Sequence, residues 1–310
     1  MRPTQGAVVA ALFCGGLVAL SAATVHADPI KKAAVLTGFD ALVPAGSAKA
    51  KVRFKVRRDS ASPYDLKGVK VEFRAKGSSL GTAVTDARGY AELSVSVPAS
   101  PTDLLVTGRI AAASFVGALD STNSVTYVAS DAFLLLAVRD AARRMLVTDI
   151  DMTISALPWA QVVALPIEQL PPVPGAPRGL SDIAKDCSVV YITGRDWTYT
   201  AKSKNWLTHW KFPRGPVLLR DEGDKANNYD QRSRVLEQLQ PLFPKLLYGF
   251  GNRTTDAEVF DDHGLTPYIF HTQEPGPYPS YSVVAKDWDA LRAMNAAGTA
   301  KDLGWATKFR

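Results

Sequence analysis

Apolar and polar residues alternate over much of the first half of the chain. Val52, Phe54 and Val56 are separated by basic residues, and Val69, Val71 and Phe73 by Lys70 and Glu72. A period of two marks strands with one buried face. Asp86-Ala87-Arg88-Gly89 reads as a turn between Ala83-Val84-Thr85 and the run from Tyr90 to Val95, and the stretches Leu104 to Ile110 and Ser124 to Val128 supply further strands. Short strands divided by Gly, Ser and Pro predict a β-sandwich over residues 28–142. From Arg144 onward the pattern changes. Buried-type runs at Met145 to Val147, Ser188 to Ile192, Val217 to Leu219 and Lys245 to Phe250 alternate with stretches of helical spacing. Ala201 to Phe212 carries Trp206 and Trp210 four residues apart. Another helix is expected to open at Thr255, with Glu258 completing a capping box, and to close near Gly264. This alternation predicts an α/β domain over residues 143–310. The stretch from Ala156 to Gly175 is rich in proline. It reads either as a flap around Trp159 or as a loop packed on the sheet.

Residues 1–27 stand apart. Arg2 precedes an almost wholly apolar run from Ala7 to Ala23, and Val25-His26-Ala27 has the small-x-small form of a signal-peptidase site. Cleavage and export are expected; a retained membrane anchor is the alternative. Removal would leave 310 − 27 = 283 residues, enough for two domains. The two cysteines are Cys14, in the leader, and Cys187. The mature chain therefore has no internal disulfide, and Cys187, before a strand, reads as a small buried hydrophobe. A net charge of +6 mildly favours anionic partners. Lys202, Lys204 and Lys211 among the aromatics could form a nucleic-acid or membrane patch. An amphipathic helix laying its tryptophans on the sheet accounts for the same residues, and no nucleic-acid partner is expected. Nothing in the pattern fixes the oligomeric state.

The candidate chemistry sits at strand ends. Asp149, Asp151 and Thr153 follow the run Met145 to Val147. Buried carboxylates are costly unless paired, and a cation between them is one reason for two. Ligands of open α/β sheets bind at the carboxyl ends of the strands. A polar turn, with Asp151 or Thr153 as a cap, is the other reading. Thr193-Gly194-Arg195 ends the next strand: a hydroxyl, a residue that permits close backbone approach, and a guanidinium able to grip an acid or phosphate. Asn252 and Asp256 follow the strand that ends at Phe250.

D-I-D-M-T resembles the phosphate-transfer motif of the haloacid dehalogenase (HAD) superfamily. Together with Y-I-T-G-R, F-P-R-G-P-V-L-L-R and F-G-N-R-x-x-D, it is similar to the catalytic domains of lipins and related Mg²⁺-dependent phosphatidate phosphatases over about residues 144–270. The resemblance implies a HAD-like parallel sheet and hydrolysis of a phosphomonoester through an aspartyl-phosphate. Asp149 would be nucleophile and metal ligand, and Asp151 general acid/base and metal ligand through its carbonyl. Thr193 would hold phosphate and Asn252 would bind Mg²⁺, with Gly194, Arg195 and Asp256 in support. Two departures stand out. Met152 replaces the usual Gly or Asp. The family's lysine is missing, so Arg232 or Lys225 would fill its slot. The favoured substrate is phosphatidate or a similar lipid phosphate, possibly in a membrane. Alternatives are a soluble or protein-bound phosphate, or a non-catalytic lipid-binding module on the same fold. Between Thr153 and Thr193 lie 193 − 153 − 1 = 39 residues, and between Thr193 and Arg232 lie 232 − 193 − 1 = 38. Neither interval has room for a cap domain, which usually takes about 50 residues or more. In the first domain, the G-x-x-x-T-D-x-x-G run from Gly81 to Gly89 resembles bacterial immunoglobulin-like modules, whose implied role is scaffold or spacer.

Overall fold

A computed structural model describes residues 30–111, 125–270 and 278–297; the expected signal peptide lies outside them. The N-terminal portion holds nine strands: β1 (Ile30–Phe39), β2 (Ala41–Pro44), β3 (Lys49–Arg58), β4 (Lys70–Ala75), β5 (Ser78–Val84), β6 (Tyr90–Ser96), β7 (Thr102–Ile110), β8 (Val125–Val128) and β9 (Ala132–Arg139). They form a four-stranded sheet, β6-β3-β1-β8, and a five-stranded sheet, β2-β9-β7-β4-β5. Val52, Phe54 and Val56 from one sheet and Val71, Phe73, Val106 and Leu136 from the other share a single core. The alternation read in the sequence is thus the inner face of a two-sheet sandwich.

The second portion is a six-stranded, wholly parallel sheet in the order β12-β11-β10-β13-β14-β15. Its strands are β10 (Met145–Thr148), β11 (Ser188–Asp196), β12 (Val217–Arg220), β13 (Leu246–Gly251), β14 (Thr266–Phe270) and β15 (Val283–Ala285). Six helices are described with it: α1 (Trp159–Ala164), α2 (Ala176–Ile183), α3 (Thr200–His209), α4 (Asn228–Leu239), α5 (Thr254–Asp262) and α6 (Trp288–Ala296). Each face of the sheet has its own core. Leu146, Tyr191 and Phe250 pack with Trp206 of α3 and Trp288 of α6. Met145, Val147 and Ile192 pack with Leu236 of α4 and with Val259 and Phe260 of α5. Strands buried on both faces read as continuous apolar runs, which is why β10 and β11 stood out.

The chain runs outward from β10 through β11 to β12, then crosses to the other side of β10 and runs outward again through β13, β14 and β15. Strand order therefore reverses between β10 and β13, and the crevice beyond their carboxyl ends is where such sheets bind ligands.

One choice of readings is decided and one expectation is corrected. The proline-rich stretch matches the second of its two readings and packs on the sheet: it forms α1, one turn of 3₁₀-helix (Ile167–Gln169) and α2, and Val162, Leu170 and Val173 lie in the core. Pro158 and Pro166 stand at the N-caps of α1 and of the 3₁₀ turn, where a missing N–H costs nothing. The capping box of α5 is not Thr255 with Glu258; Asp256 accepts the backbone N–H groups of Asn252 (2.9 Å) and Arg253 (3.0 Å). The sandwich meets the second portion through polar side chains. Lys55, on the outward face of β3 and fully buried, donates to Glu222 and to the Arg88 carbonyl, and Arg53 pairs with Asp221 at 2.6 Å. Asp40 accepts the backbone N–H groups of Leu135 (2.7 Å) and Val217 (3.0 Å) and pairs with Lys204 at 2.5 Å.

Candidate active site

Asp149 leaves β10 still in register with β13, its N–H donating to the Phe250 carbonyl at 2.8 Å. The chain then turns so sharply that the Ile150 carbonyl receives the N–H groups of Thr153, Ile154 and Ser155. The turn places Met152 at φ 62°, a left-handed conformation that costs a side-chain-bearing residue about 1–2 kcal/mol. This is the physical reason a glycine suits that position. The turn is held from outside by Trp288, whose indole N–H donates to the Thr153 carbonyl at 3.3 Å.

Four of the residues singled out by the sequence meet around Asp149. Arg232, in the second turn of α4, donates from Nη2 to Asp149 Oδ1 at 2.8 Å. Its Nη1 lies 3.1 Å from Asp256 Oδ1. The Thr153 hydroxyl lies 3.3 Å from Asp149 Oδ2 and 3.4 Å from Asn252 Oδ1. Asp149, Asn252, Asp256 and Arg232 are all buried. Asp151, partly exposed, turns the other way, where Arg195 grips it from Nε (3.0 Å to Oδ2) and Nη2 (2.7 Å to Oδ1). Arg195 is anchored in turn by the Ser203 hydroxyl of α3 at 3.0 Å, and its guanidinium lies over the Trp159 ring. The Thr193 hydroxyl reaches Asp151 Oδ2 at 3.5 Å and accepts the Arg195 N–H at 3.2 Å. Lys225 does not join them; it is exposed in the loop before α4. Of the two candidates for the basic slot, Arg232 is the one the fold brings to Asp149.

The electrostatics follow from burial. Three carboxylates (Asp149, Asp151, Asp256) face two guanidiniums (Arg195, Arg232). Loss of solvent pushes Asp149 up to about 7, against the pull of Arg232 and with help from Asp256 and Asp151. Among the described residues no cluster of three or more His, Cys, Asp or Glu forms a metal cage. The donor set nevertheless fits a hard cation. Asp149 Oδ2 and Asn252 Oδ1 are both acceptors, and they share the one proton of the Thr153 hydroxyl, so at least one lone pair between them is unmatched. Two acceptor oxygens within 3.4 Å of one hydroxyl suit Mg²⁺, which takes one or two protein oxygens and keeps waters.

Close approach of backbone elements builds the rest. A Cβ on Gly251 would lie 2.3 Å from the Asp256 Cβ, and one on Gly194 would lie 2.7 Å from Asn228 Oδ1. Gly251 lets α5 bring Asp256 under Arg232. Gly194 lets the start of α4 meet the end of β11, where the Gln231 side chain donates to the Thr193 carbonyl at 3.3 Å. Sequence reading missed Gly251, Gln231, Ser203 and Trp288. Gln231 beside Arg232 is a signal only once α4 is known to face the site. Thr153 was in view within D-x-D-x-T, read only as a cap of a polar turn and given no catalytic role.

The sequence model of the family described as PITM 1-3, LNS2 domain matches residues 183–272, less than a third of the chain. The match contains Thr193, Arg195, Arg232, Asn252 and Asp256 and begins after Asp149 and Asp151. No match was found among curated proteins. Among solved structures, D,D-heptose 1,7-bisphosphate phosphatase from B. bronchiseptica, complexed with magnesium and phosphate, is 14% identical, with 48% of this chain and 95% of that one covered at a TM-score of 0.37. A chain of the Pnkp1/Rnl/Hen1 RNA repair complex is 17% identical, with 41% of this chain and 42% of that one covered at a TM-score of 0.36. The CARDB domain of a Pyrococcus furiosus protein is 14% identical, with 34% of this chain and 92% of that one covered at a TM-score of 0.22. Over residues 183–272, which carry Thr193, Arg195, Arg232, Asn252 and Asp256, this chain is similar to the LNS2 domain family.

Proposed function

We propose that this protein is a HAD-type, Mg²⁺-dependent phosphomonoester hydrolase working through an aspartyl-phosphate, with phosphatidate or a similar lipid phosphate as substrate. The observation that carries the reading is the crevice between β10 and β13, where Asp149 and Asp151 emerge beside Asn252, Thr193 and two guanidiniums. In this reading an oxygen of Asp149 bonds to phosphorus as the ester oxygen leaves, and Asp151 gives that oxygen its proton. Asp151 then takes a proton from the water that attacks phosphorus and frees Asp149. Arg232 and Thr153 hold the Asp149 carboxylate by its two oxygens, and Arg195 fixes the orientation of Asp151. Asp149, Asn252 and the Asp151 carbonyl would hold Mg²⁺, which would neutralise the charge gathering between nucleophile and phosphate.

The lipid assignment rests on the lipin-like motifs and is supported by the lack of any separate cap domain among the described residues. The reading includes an exported two-domain protein whose sandwich is of the immunoglobulin-like kind. Release of phosphate from p-nitrophenyl phosphate, with and without Mg²⁺, tests the chemistry. Metal-dependent turnover is expected, and Asp149→Asn should abolish it because an amide cannot attack phosphorus; activity surviving that substitution would remove the mechanism. Comparison of phosphatidate in mixed micelles with glycerol 3-phosphate tests the substrate, the lipid being expected to be far the better.

A second reading, a phosphate- or lipid-binding module without turnover, is favoured by one observation: a guanidinium already sits on Asp149 Oδ1. Phosphatidate-containing vesicles that bind the protein but release no phosphate would be its signature.

A further inference from the structure

A groove of about 640 Å³ separates the sandwich from α3 and the loop that follows it. Its sandwich walls present Val35, Leu105 and Phe133, respectively 47%, 45% and 50% exposed. Its floor is Leu207 and Phe212. Three large apolar side chains left half in water around one concavity form a patch that solvent does not favour. The walls are fixed. Lys204 spans the junction, pairing with Asp40 and donating to the carbonyls of Gly38 (3.0 Å) and Phe133 (3.2 Å).

The charges at the groove decide its ligand. Asp40 is matched by Lys204, and Asp131 by Arg109 at 2.8 Å. Arg214 is exposed and has no ion pair among the described residues. What remains is an apolar trough with one uncompensated guanidinium. Its volume lies within the range of about 300–1,000 Å³ that small-ligand sites occupy, which suits one extended chain rather than a membrane face or a folded partner.

We propose that this groove binds a long-chain fatty acid anion, the acyl chain lying along Val35, Leu105 and Phe133 and the carboxylate meeting Arg214. The site is separate from the Asp149 crevice and does not depend on hydrolysis there.

Titration of the intact protein with cis-parinarate, a fluorescent 18-carbon fatty acid, tests this below the probe's micelle concentration. Saturable binding of one probe per chain is expected, equal in Asp149→Asn. Phe133→Asp and, independently, Leu105→Asp should weaken it at least about tenfold, since each places a charge against the chain. Both positions are half exposed, so both variants should melt with the wild type. Competing fatty acids should gain about fourfold in affinity per added methylene until the groove is full. Arg214→Ala should cost fatty acids about two- to fivefold, as an exposed ion pair does, and leave a long-chain alcohol unchanged. Absence of saturable binding, or binding indifferent to both aspartate variants, overturns the proposal. So does a wild-type dimer that ignores the probe and dissociates on Phe133→Asp, which would give the groove to a second copy.

Discussion

Arg232 offers the sharpest test of how this site is held together. Its guanidinium is buried and lies against two buried carboxylates, Asp149 at 2.8 Å and Asp256 at 3.1 Å. Arg232→Ala strands both. Removing one partner of a buried ion pair costs about 3–5 kcal/mol. Asp256 keeps two backbone N–H groups and Asp149 keeps the Thr153 hydroxyl, so the loss should stay within that range. Arg232→Lys retains the charge but concentrates it at one point that cannot meet both carboxylates; about half the loss is expected. Lys225→Ala, in an exposed loop, should fall within about 0.5 kcal/mol of wild type. All six tryptophans lie beyond residue 143, so their fluorescence during urea unfolding reports the α/β portion. Arg232→Ala should lower the midpoint strongly at unchanged slope, Arg232→Lys less, and Lys225→Ala hardly at all. The same ranking is expected for phosphate release. Equal midpoints for Arg232→Ala and Lys225→Ala would refute the buried bridge.

Gly251→Ala should destabilise by about 1–3 kcal/mol through overpacking and reduce activity as well, because the added methyl meets Asp256; a fully active, fully stable variant would show that α5 is free to move. Lys211→Gly should raise stability by about 1 kcal/mol, read as an upward shift in Tm, because Lys211 is exposed at φ 57° in the turn that ends α3. There the Lys211 N–H bonds Thr208, the Phe212 N–H bonds Leu207, and the Phe212 ring stacks on Trp206, the pattern of a helix C-terminus that prefers glycine. Cys187 is buried, and loss of solvent pushes its thiol up to about 11. It should resist a thiol reagent at neutral pH and react at once in urea, since the thiolate is the reactive form.

Trp159 was the centre of the flap reading. In the structure it packs edge-on against Tyr199 and lies beside Arg195. Its loss should therefore disturb the grip on Asp151 and slow lipid and soluble substrates alike.

The sequence by itself determined what depends on near neighbours along the chain. The period-two runs located the inner faces of the sandwich strands, and the doubly apolar runs of β10, β11 and β13 marked a covered parallel sheet. Asp149, Asp151, Thr193, Asn252 and Asp256 were visible because strand ends in such a sheet collect ligand-binding groups. What depends on distant pairs could not be read. Lys55 obeys the alternation of an exposed position and is fully buried, because the second portion of the chain covers the outer face of β3. The choice of Arg232 over Lys225 rests on which face α4 turns to the sheet. The contribution of Trp288 comes from a helix beyond the recognisable motifs. Local periodicity fixes which side of an element is apolar. It does not fix what that element packs against, and tertiary structure decided the site by bringing α4, α5 and α6 to the two ends of a single turn after β10.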